Sequence, residues 1–293
     1  MQYAGRFAPS PTGKLHFGSL ICALGSYLRA RACGGKIYIR IEDLDFTRCS
    51  KEHTVSILTE LSELGFEYDG KPFIQSEHTL DYLKVIRGLA LEGLVFPCSC
   101  TRAELKIRPC SCFLKKNTEQ DLSNARSIRF LIDAKQTCSF EDKLHGTVVS
   151  EPEGGSITLR RADGVIAYNL ACVVDDIRQG ITEVVRGSDL LPVTAAQLYL
   201  YRALQHRAPD FVHLPLVLDR YGNKLSKQNN APEMKGQASP SELLLTALSF
   251  LKQDITNLRK NMCPKEILHK AISRFSLDRI PLEPAAEPNH TGI

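Results

Sequence analysis

Two short stretches, far apart in the chain, carry residue types that suit the binding of a nucleotide. The first runs from Arg6 to Leu20 and reads RFAPSPTGKLHFGSL. Its apolar start and its proline- and glycine-containing turn predict a strand that bends sharply into a helix beginning around His16 to Ser19. The start of such a helix gathers backbone N–H groups and the positive end of the helix dipole, which suits a polyphosphate. A purely structural strand–helix turn would explain the prolines and glycines, but not the pairing of His16 with Gly18.

The second stretch is KLSKQ, Lys224 to Gln228, which follows a tight turn of sequence RYGN. A glycine-containing loop with Lys224 and Lys227 on either side of a serine is typical of a loop that contacts phosphate. A generic basic turn is equally common, so KLSKQ by itself leaves both interpretations open.

Charged residues stand in or after three predicted strands. Arg6 lies in the first strand, Glu42 is near the end of the second (Lys36 to Asp43), and Arg186 follows the third (Ile181 to Val185). Open α/β sheets place ligand contacts at the carboxyl ends of their strands, and the planar fork of an arginine is the usual partner of a carboxylate. The structural alternatives are a helix cap and solvated turn for Glu42, and pairing with a neighbouring acid for Arg186.

Four of the ten cysteines form two closely spaced pairs, Cys98-Ser99-Cys100 and Cys110-Ser111-Cys112. Clustered thiolates in a chain without an export signal suit a tetrahedral zinc ion. The spacing is less standard than two C-x-x-C knuckles, and a cysteine-rich surface loop is the alternative. The other six cysteines are interpreted as small packing residues.

The composition is that of an ordinary globular chain. Of the 293 residues, 43% are hydrophobic and 24% are charged, and the length suffices for one large α/β domain with an appendage or for two domains. The sequence has no apolar run of about 18 residues, and its first residues, MQYAGRF, lack the layout of a secretion signal. We therefore expect no membrane partner, a cytoplasmic location, and thiols or metal rather than disulfides. The net charge of +4 permits a nucleic-acid partner without demanding one.

Apolar periodicity predicts the remaining elements. Helices are expected over Lys51 to Leu64, His78 to Leu94, Ala195 to Leu204, Ser241 to Leu251 and Lys265 to Phe275. The segment from Ser156 to Tyr168 is typical of a β-hairpin with Asp163-Gly164 at its tip. Its second strand is expected to end at Tyr168-Asn169, shortly before the acidic pair Asp175-Asp176.

Taken together, HFGS at His16 to Ser19 and KLSKQ at Lys224 to Gln228 resemble the HIGH and KMSKS signatures of the class I aminoacyl-tRNA synthetases. The segments RFAPSPTG, RIEDLD, AYNLACVVDD and EVVRGSDLL are similar to the glutamyl branch of that family. The resemblance implies an α/β fold, in which a Rossmann-like catalytic domain, a parallel sheet flanked by helices, is interrupted by a zinc-containing insertion. The implied division is 1–95 and 181–232 for the two catalytic halves, 96–180 for the insertion, and 233–293 for a short C-terminal helical segment.

Within the glutamyl branch, the chain is similar to a truncated subfamily without an anticodon-binding domain. Only residues 229–293 follow KLSKQ, whereas a helical anticodon-binding domain needs on the order of a hundred residues. The resemblance implies a monomer that activates L-glutamate with ATP, without tRNA, and transfers it to the queuosine base in the anticodon loop of tRNA(Asp). The alternatives are a minimal glutamyl-tRNA synthetase that charges a tRNA 3′ end, and a non-catalytic tRNA-binding paralogue.

The resemblance also implies roles for individual residues. The implied catalytic residues are His16, Ser19, Lys224 and Lys227, and ATP with its Mg²⁺ is implied to bind at His16, Gly18, Ser19 and Lys227. The implied glutamate-binding residues are Arg6, Phe7, Ala8, Pro9, Ser10, Glu42, Tyr168 and Arg186. Among these, the two arginines would pair with the carboxylates, Glu42 would pair with the ammonium group, and Tyr168 would close the pocket.

The implied zinc site departs from the family pattern, which usually ends in a tyrosine and a last cysteine. Here Cys98 and Cys100 match the first two ligands, Cys112 stands where the tyrosine is expected, and Cys110 is the candidate for the missing ligand. Basic residues in and after this cluster are expected to line a groove for the anticodon loop. They are Arg102, Lys106, Arg108, Lys115 and Lys116.

Overall fold

The computed structural model describes residues 2–108, 110–114, 122, 124–132, 138–150, 155–219, 221–225 and 238–286. The strands are β1 (Ala4–Phe7), β2 (Lys36–Ile41), β3 (Phe73–Ile74), β4 (Val95–Cys98), β5 (Ser127–Leu131), β6 (Cys138–Asp142), β7 (Gly146–Ser150), β8 (Ser156–Arg160), β9 (Glu183–Gly187), β10 (Asp210–Leu214), β11 (Val217–Leu218) and β12 (Ala285–Ala286). The α-helices are α1 (Phe17–Ala32), α2 (Lys51–Glu63), α3 (Thr79–Leu91), α4 (Arg102–Ile107), α5 (Tyr168–Arg178), α6 (Leu191–Ala203), α7 (Pro240–Phe250) and α8 (Pro264–Ile272).

The parallel sheet is built in two parts that meet beside β1. In the first part, β1, β2 and β3 pair in parallel in that order. In the second part, β9, β10 and β6 pair in parallel, and β7 pairs antiparallel with β6 at the edge. The two parts are joined where the Thr182 N–H donates to the Ala4 carbonyl oxygen, at 2.8 Å. The residues that follow β1, β2 and β9 consequently line one cavity.

Helix α1 lies in the core of the catalytic part, as its helical spacing of apolar residues predicts. Its large buried residues are Phe17, Leu20, Ile21, Leu24, Tyr27 and Leu28. Burial of each such side chain contributes about 1.5–3 kcal/mol to folding. Gly25 allows β10 to approach, because a Cβ added there would lie 2.6 Å from Leu214 Cδ1. This packing fixes the start of α1, the end that faces the cavity, against the sheet.

A separate antiparallel sheet, in the order β4-β5-β8, packs against α3, α5 and α6. Its core includes Tyr82 of α3, Ile128 of β5, Leu170 of α5 and Leu200 of α6, all of them buried. The segment 96–180 thus supplies most of this sheet, but it also supplies β6 and β7 to the parallel sheet. The four-part domain division stays a proposal.

The predicted hairpin of Ser156 to Tyr168 forms only in part. β8 is followed by a turn at Asp163-Gly164 and by a single β-bridge. The prediction of a second strand ending at Tyr168-Asn169 is wrong, because Tyr168 begins helix α5. The apolar residues from Leu170 to Val173 are buried in this helix, and so is the acidic pair Asp175-Asp176.

The described C-terminal part packs onto the catalytic core. Leu244 and Leu248 of α7 and Ile267 of α8 belong to the same buried cluster as α1. Ser239 and Glu242 form a capping box at the start of α7, which satisfies backbone donors that the helix itself leaves unpaired. Among the described residues, no helix is both long enough and apolar enough to cross a membrane.

Candidate active site

A cavity of about 420 Å³ collects nearly all the residues that the sequence singled out for nucleotide and amino-acid binding. The predicted residues that line it are Arg6, Phe7, Ala8, Pro9, Ser10, His16, Gly18, Ser19, Glu42, Tyr168, Arg186 and Lys224. Lys227 lies outside the described residues. The two stretches that are distant in the sequence therefore meet at one site, to which the second stretch contributes Lys224 and Leu225.

One side of the cavity is the start of α1. His16 is the N-cap residue, and its Nδ1 accepts a hydrogen bond from the Ser19 N–H at 3.3 Å. Because Nδ1 is an acceptor, the neutral ring carries its hydrogen on Nε2 and can donate from that atom. A Cβ at Gly18 would lie 3.1 Å from His16 Cε1 and 3.7 Å from the Leu225 carbonyl oxygen. Glycine at this position thus leaves room where the two stretches approach each other.

Lys224 brings a cation to the same side of the cavity. Its Nζ lies 2.5 Å from Asp189 Oδ2, which follows β9. The side chains are partly exposed, 43% and 31% respectively, so this ion pair is open to exchange with another anion. A phosphate group could compete with Asp189 for the ammonium group, since exposed ion pairs contribute little stability.

The other side of the cavity contains Arg186, which is held by four partners. Its Nε donates to His213 Nε2 at 3.1 Å, and its Nη2 donates to Thr194 Oγ1 at 2.7 Å. Its Nη1 donates to Gln197 Oε1 at 2.8 Å and lies 3.3 Å from the Tyr168 hydroxyl. The guanidinium is therefore buried and fixed in orientation before any ligand binds, as a carboxylate-binding group should be.

Arg6 is fixed by a buried carboxylate that the sequence analysis mentioned but gave no role. Asp176 Oδ1 accepts from Arg6 Nε at 3.2 Å and from Arg40 Nη1 at 2.7 Å. Arg40 is fully buried, and its Nη2 also lies 3.4 Å from Glu42 Oε1. The Tyr201 hydroxyl donates to the second oxygen of Asp176 at 3.2 Å. Asp176 thus joins two buried arginines beneath the cavity.

Sequence reasoning missed Arg40, although a signal was present. Arg40 is an arginine inside an otherwise apolar part of β2, where its burial requires a charged partner. The partner, Asp176, is far away in the sequence, and only the tertiary packing of α5 brings its carboxylate to Arg40.

Buried arginines and carboxylates lie side by side in this cluster. Arg40 interacts electrostatically with Asp176, Glu42 and Asp175. Burial would raise the pKa of Asp176, but Arg40 and Arg6 lower it below its ordinary value. Burial raises the pKa of Glu42, and the same two arginines only partly oppose it. A bound ammonium group would favour the charged form of Glu42 and so oppose the effect of burial on its pKa.

A larger cleft of about 1210 Å³ adjoins this cavity and shares Ser10, Thr12, Glu42 and Tyr168 with it. Its other wall comes from the antiparallel sheet and the cysteine cluster. Exposed Arg48 and Arg126 line it. Of the basic residues predicted to line a groove, Arg108 is exposed, whereas Lys115, Lys116 and the side chains of Arg102 and Lys106 lie outside the described residues.

Four cysteine side chains come together next to this cleft: Cys98, Cys100, Cys110 and Cys112. All four sulfur atoms lie within 4.8 Å of one another. The Sγ–Sγ distance is 3.5 Å between Cys98 and Cys110, 3.8 Å between Cys100 and Cys110, and 3.7 Å between Cys100 and Cys112. Four thiolates at roughly 2.3 Å around a tetrahedral zinc lie roughly 3.8 Å apart. The donor set and its spacing therefore fit a zinc ion. Cys110 lies within this cluster, although the family pattern has no ligand at its position.

The comparisons with known proteins agree with this geometry. The family model described as tRNA synthetases class I (E and Q), catalytic domain, matches residues 3–277. A solved glutamate tRNA ligase from Elizabethkingia meningosepticum, in complex with its amino acid, superposes with a TM-score of 0.81 at 23% identity. The match covers 98% of this chain and 67% of that protein, and it shows a shared fold. The chain belongs to the class I tRNA synthetases of the glutamate and glutamine group.

Its similarity within that class is more specific. A protein named Glutamyl-Q tRNA(Asp) synthetase from Photorhabdus laumondii is 43% identical over 284 residues, which are 95% of this chain and 88% of the relative. One of the same name from Xanthomonas axonopodis pv. citri is 41% identical over 281 residues, 95% of this chain and 93% of the relative. The chain is therefore a member of the glutamyl-Q tRNA(Asp) synthetase family, a family of ligases whose class implies ATP, glutamate and a tRNA as partners.

Proposed function

We propose that the enzyme activates L-glutamate with ATP in the absence of tRNA and then transfers it to the queuosine base in the anticodon loop of tRNA(Asp). The observation that carries the proposal is a single cavity with two walls. One wall is a helix start with a histidine cap and a lysine, and the other holds Arg6, Arg186 and Glu42. The cavity adjoins the larger cleft through shared residues, which gives an acceptor a route to the activated amino acid.

In the first step, the α-carboxylate of glutamate attacks the α-phosphorus of ATP. A carboxylate–phosphorus bond forms, the bond to the bridging oxygen of the β-phosphate breaks, and pyrophosphate leaves. The chain contributes positioning and charge neutralisation rather than a nucleophile. His16, Gly18, Ser19 and the start of α1 hold the nucleotide, and Lys224 with Lys227 neutralises the charge on its phosphates.

Mg²⁺ bound with ATP supplies further neutralisation of the phosphate charge. This ion is usually held by substrate phosphates and one or two carboxylates rather than by a cage of protein ligands. Asp189 lines the same cavity as the helix start, so a carboxylate is available there.

The amino acid is selected on the opposite wall. Arg6 and Arg186 pair with the two carboxylates of glutamate, and Glu42 pairs with its ammonium group. Tyr168 closes the pocket and donates a hydrogen bond. The backbone and side chains from Phe7 to Ser10 complete the amino-acid loop next to β1.

In the second step, a hydroxyl of the queuosine base attacks the carbonyl carbon of glutamyl-adenylate, an ester forms, and AMP leaves. Proteins read single-stranded loops of RNA by splaying out their bases, and the larger cleft offers a volume of about 1210 Å³ to such a base. Arg48 and Arg126 provide positive charge for the RNA backbone. The monomeric state and the cytoplasmic location stay predictions from the sequence.

The test uses pyrophosphate exchange and two forms of tRNA. We expect ATP–pyrophosphate exchange that depends on glutamate but not on tRNA. We also expect labelled glutamate to be transferred to tRNA(Asp) that lacks its 3′-terminal adenosine, but not to tRNA(Asp) without queuosine. Loss of labelling with the truncated tRNA would support a minimal synthetase that charges the 3′ end, and the absence of any exchange would support a non-catalytic paralogue.

Lys227→Ala is expected to lower the rate of glutamate-dependent exchange about 10²-fold, as does the loss of other transition-state charge contacts. The matched control is Lys71→Ala, which removes an exposed lysine elsewhere and should leave the rate within about twofold. Near-normal exchange by Lys227→Ala would contradict the role proposed for this lysine.

One structural zinc ion per chain is expected in the purified protein. Cys110→Ser should release the metal and lower the melting temperature, since a structural zinc site contributes directly to folding stability. Cys33→Ser, at an exposed cysteine outside the cluster, should change neither quantity. A Cys110→Ser protein that keeps full zinc content would remove Cys110 from the ligand set.

A further inference from the structure

We propose that Asp142 and His213 are positioning residues which hold Arg186, through a neutral imidazole, in the orientation that glutamate recognition requires. The proposal rests on the role assigned to Arg186 under the proposed function. Neither residue lines the active-site cavity, so both act through the arginine.

The hydrogen bonds determine where the hydrogen of His213 lies. Arg186 Nε–H can only donate, and it points to His213 Nε2 at 3.1 Å, so Nε2 must carry a lone pair. The Thr194 hydroxyl lies 3.2 Å from the same nitrogen, but it also donates to the Leu190 carbonyl oxygen at 3.0 Å. The ring hydrogen therefore lies on Nδ1, which donates to Asp142 Oδ2 at 2.6 Å.

Asp142, the last residue of β6, is itself held by the turn that follows this strand. Its Oδ1 accepts the backbone N–H groups of Leu144 and His145, each at 3.0 Å. The side chains of Asp142 and His213 are both 0% exposed. The chain of hydrogen bonds thus runs from the β6–β7 turn, through β10, to Arg186 at the end of β9.

Aromatic packing supports the same arrangement. The Phe211 ring stacks on His213 with ring centroids 6.0 Å apart, and the guanidinium carbon of Arg186 lies 5.5 Å from the Phe211 centroid. Phe140 packs against both rings. His213 consequently cannot turn without disturbing Phe211, and the Nε edge of Arg186 stays fixed while its Nη1 faces Tyr168 and the cavity.

A neutral ring suits this position because Arg186 is already a buried cation. A second ring hydrogen, on Nε2, would point at the Arg186 N–H. It would also make the ring an imidazolium cation and so place a second positive charge beside Arg186. The charged and titratable groups that face His213 are Asp142, His145 and Arg186. Burial lowers the pKa of His213, Arg186 lowers it further, and Asp142 opposes them without reversing the direction. The Asp142 carboxylate polarises the neutral ring and strengthens Nε2 as an acceptor.

The test compares two amide variants of the same residue. In His213→Gln, the side-chain oxygen can reach the place of Nε2 and accept from Arg186. In His213→Asn, the shorter side chain reaches only the place of Nδ1 and leaves Arg186 Nε without an acceptor. We expect His213→Asn to raise KM for glutamate about tenfold or more in pyrophosphate exchange, and His213→Gln to stay within about threefold of wild type.

KM for ATP should change by less than about twofold in both variants. A parallel rise of both KM values would indicate a merely structural role, and equal KM values for glutamate in the two variants would overturn the proposal. Asp142→Ala, which frees the ring, should raise KM for glutamate like His213→Asn. His206→Gln, at an exposed histidine, is the control and should change nothing.

The outcome is distinguishable from a failure of the proposed function. If the wild-type enzyme shows no glutamate-dependent exchange, the proposed function itself fails. If wild-type exchange is normal and the amide pair behaves alike, only the positioning role of His213 and Asp142 fails.

Discussion

Asp176→Asn is expected to lower the free energy of unfolding by about 3–5 kcal/mol, the usual cost of removing one partner from a buried ion pair. The substitution keeps the shape of the side chain but removes the charge that Arg6 and Arg40 share. It would remove the carboxylate that both guanidinium groups contact and leave Glu42, 3.4 Å from Arg40 Nη2, as a more distant acidic partner of Arg40. Chemical denaturation, followed by a spectroscopic signal, measures the loss directly.

The same substitution should change the response to acid. Asp176 has a pKa below its ordinary value when folded, so its stabilisation is fully present above the unfolded pKa of about 3.9 and is lost as the pH falls through the lower folded pKa. The free energy of unfolding of Asp176→Asn should therefore fall less steeply than that of the wild-type protein as the pH is lowered through this range.

Asp278→Asn is the matched control, because Asp278 is exposed in a short 3-10 turn. It should change the free energy of unfolding by no more than about 0.5 kcal/mol. If Asp176→Asn were as stable as this control, the charge of Asp176 would not be needed to stabilise the buried guanidinium groups of Arg6 and Arg40, and the prediction would be wrong.

Glu42→Gln is expected to raise KM for glutamate about 30-fold or more, since truncating one partner of a buried, hydrogen-bonded charge pair costs about 2–5 kcal/mol. The side chain is only 9% exposed, so water cannot replace the lost contact to the ammonium group. KM for ATP should change by less than about threefold because the helix start and Lys224 lie on the other wall. Steady-state pyrophosphate exchange with each substrate varied in turn measures both values.

The pH dependence gives a second readout for Glu42. Its pKa is raised, chiefly by burial, and a protonated carboxyl cannot pair with an ammonium group. KM for glutamate in the wild-type enzyme should therefore rise as the pH falls through this raised pKa, while in Glu42→Gln it should stay flat. Glu92→Gln, at an exposed residue that ends α3, is the control, and equal losses for glutamate and ATP would count against the assignment.

Local sequence was enough to predict the start of the active site. The proline- and glycine-containing turn and the helical spacing of apolar residues in α1 act over a few neighbours, so the strand, the turn and a helix beginning around His16 to Ser19 follow from the sequence alone. The sequence also indicated the family, because it contains both HFGS and KLSKQ, which together resemble the two signatures of the class I synthetases. The prediction failed at Tyr168, where a short apolar run fits a strand and a helix equally well and only the packing of α5 decides.

Only the tertiary structure decided which charged residues meet. Arg40 and Asp176, or Asp142 and His213, are separated by long stretches of sequence, and no local pattern links them. Burial in a medium of low dielectric constant forces each of these groups to find a partner, but the fold selects which partner is within reach. The sequence determined the chemistry available to this protein, and the meeting of β1, β9 and β10 decided which groups line the cavity and which hold them in place.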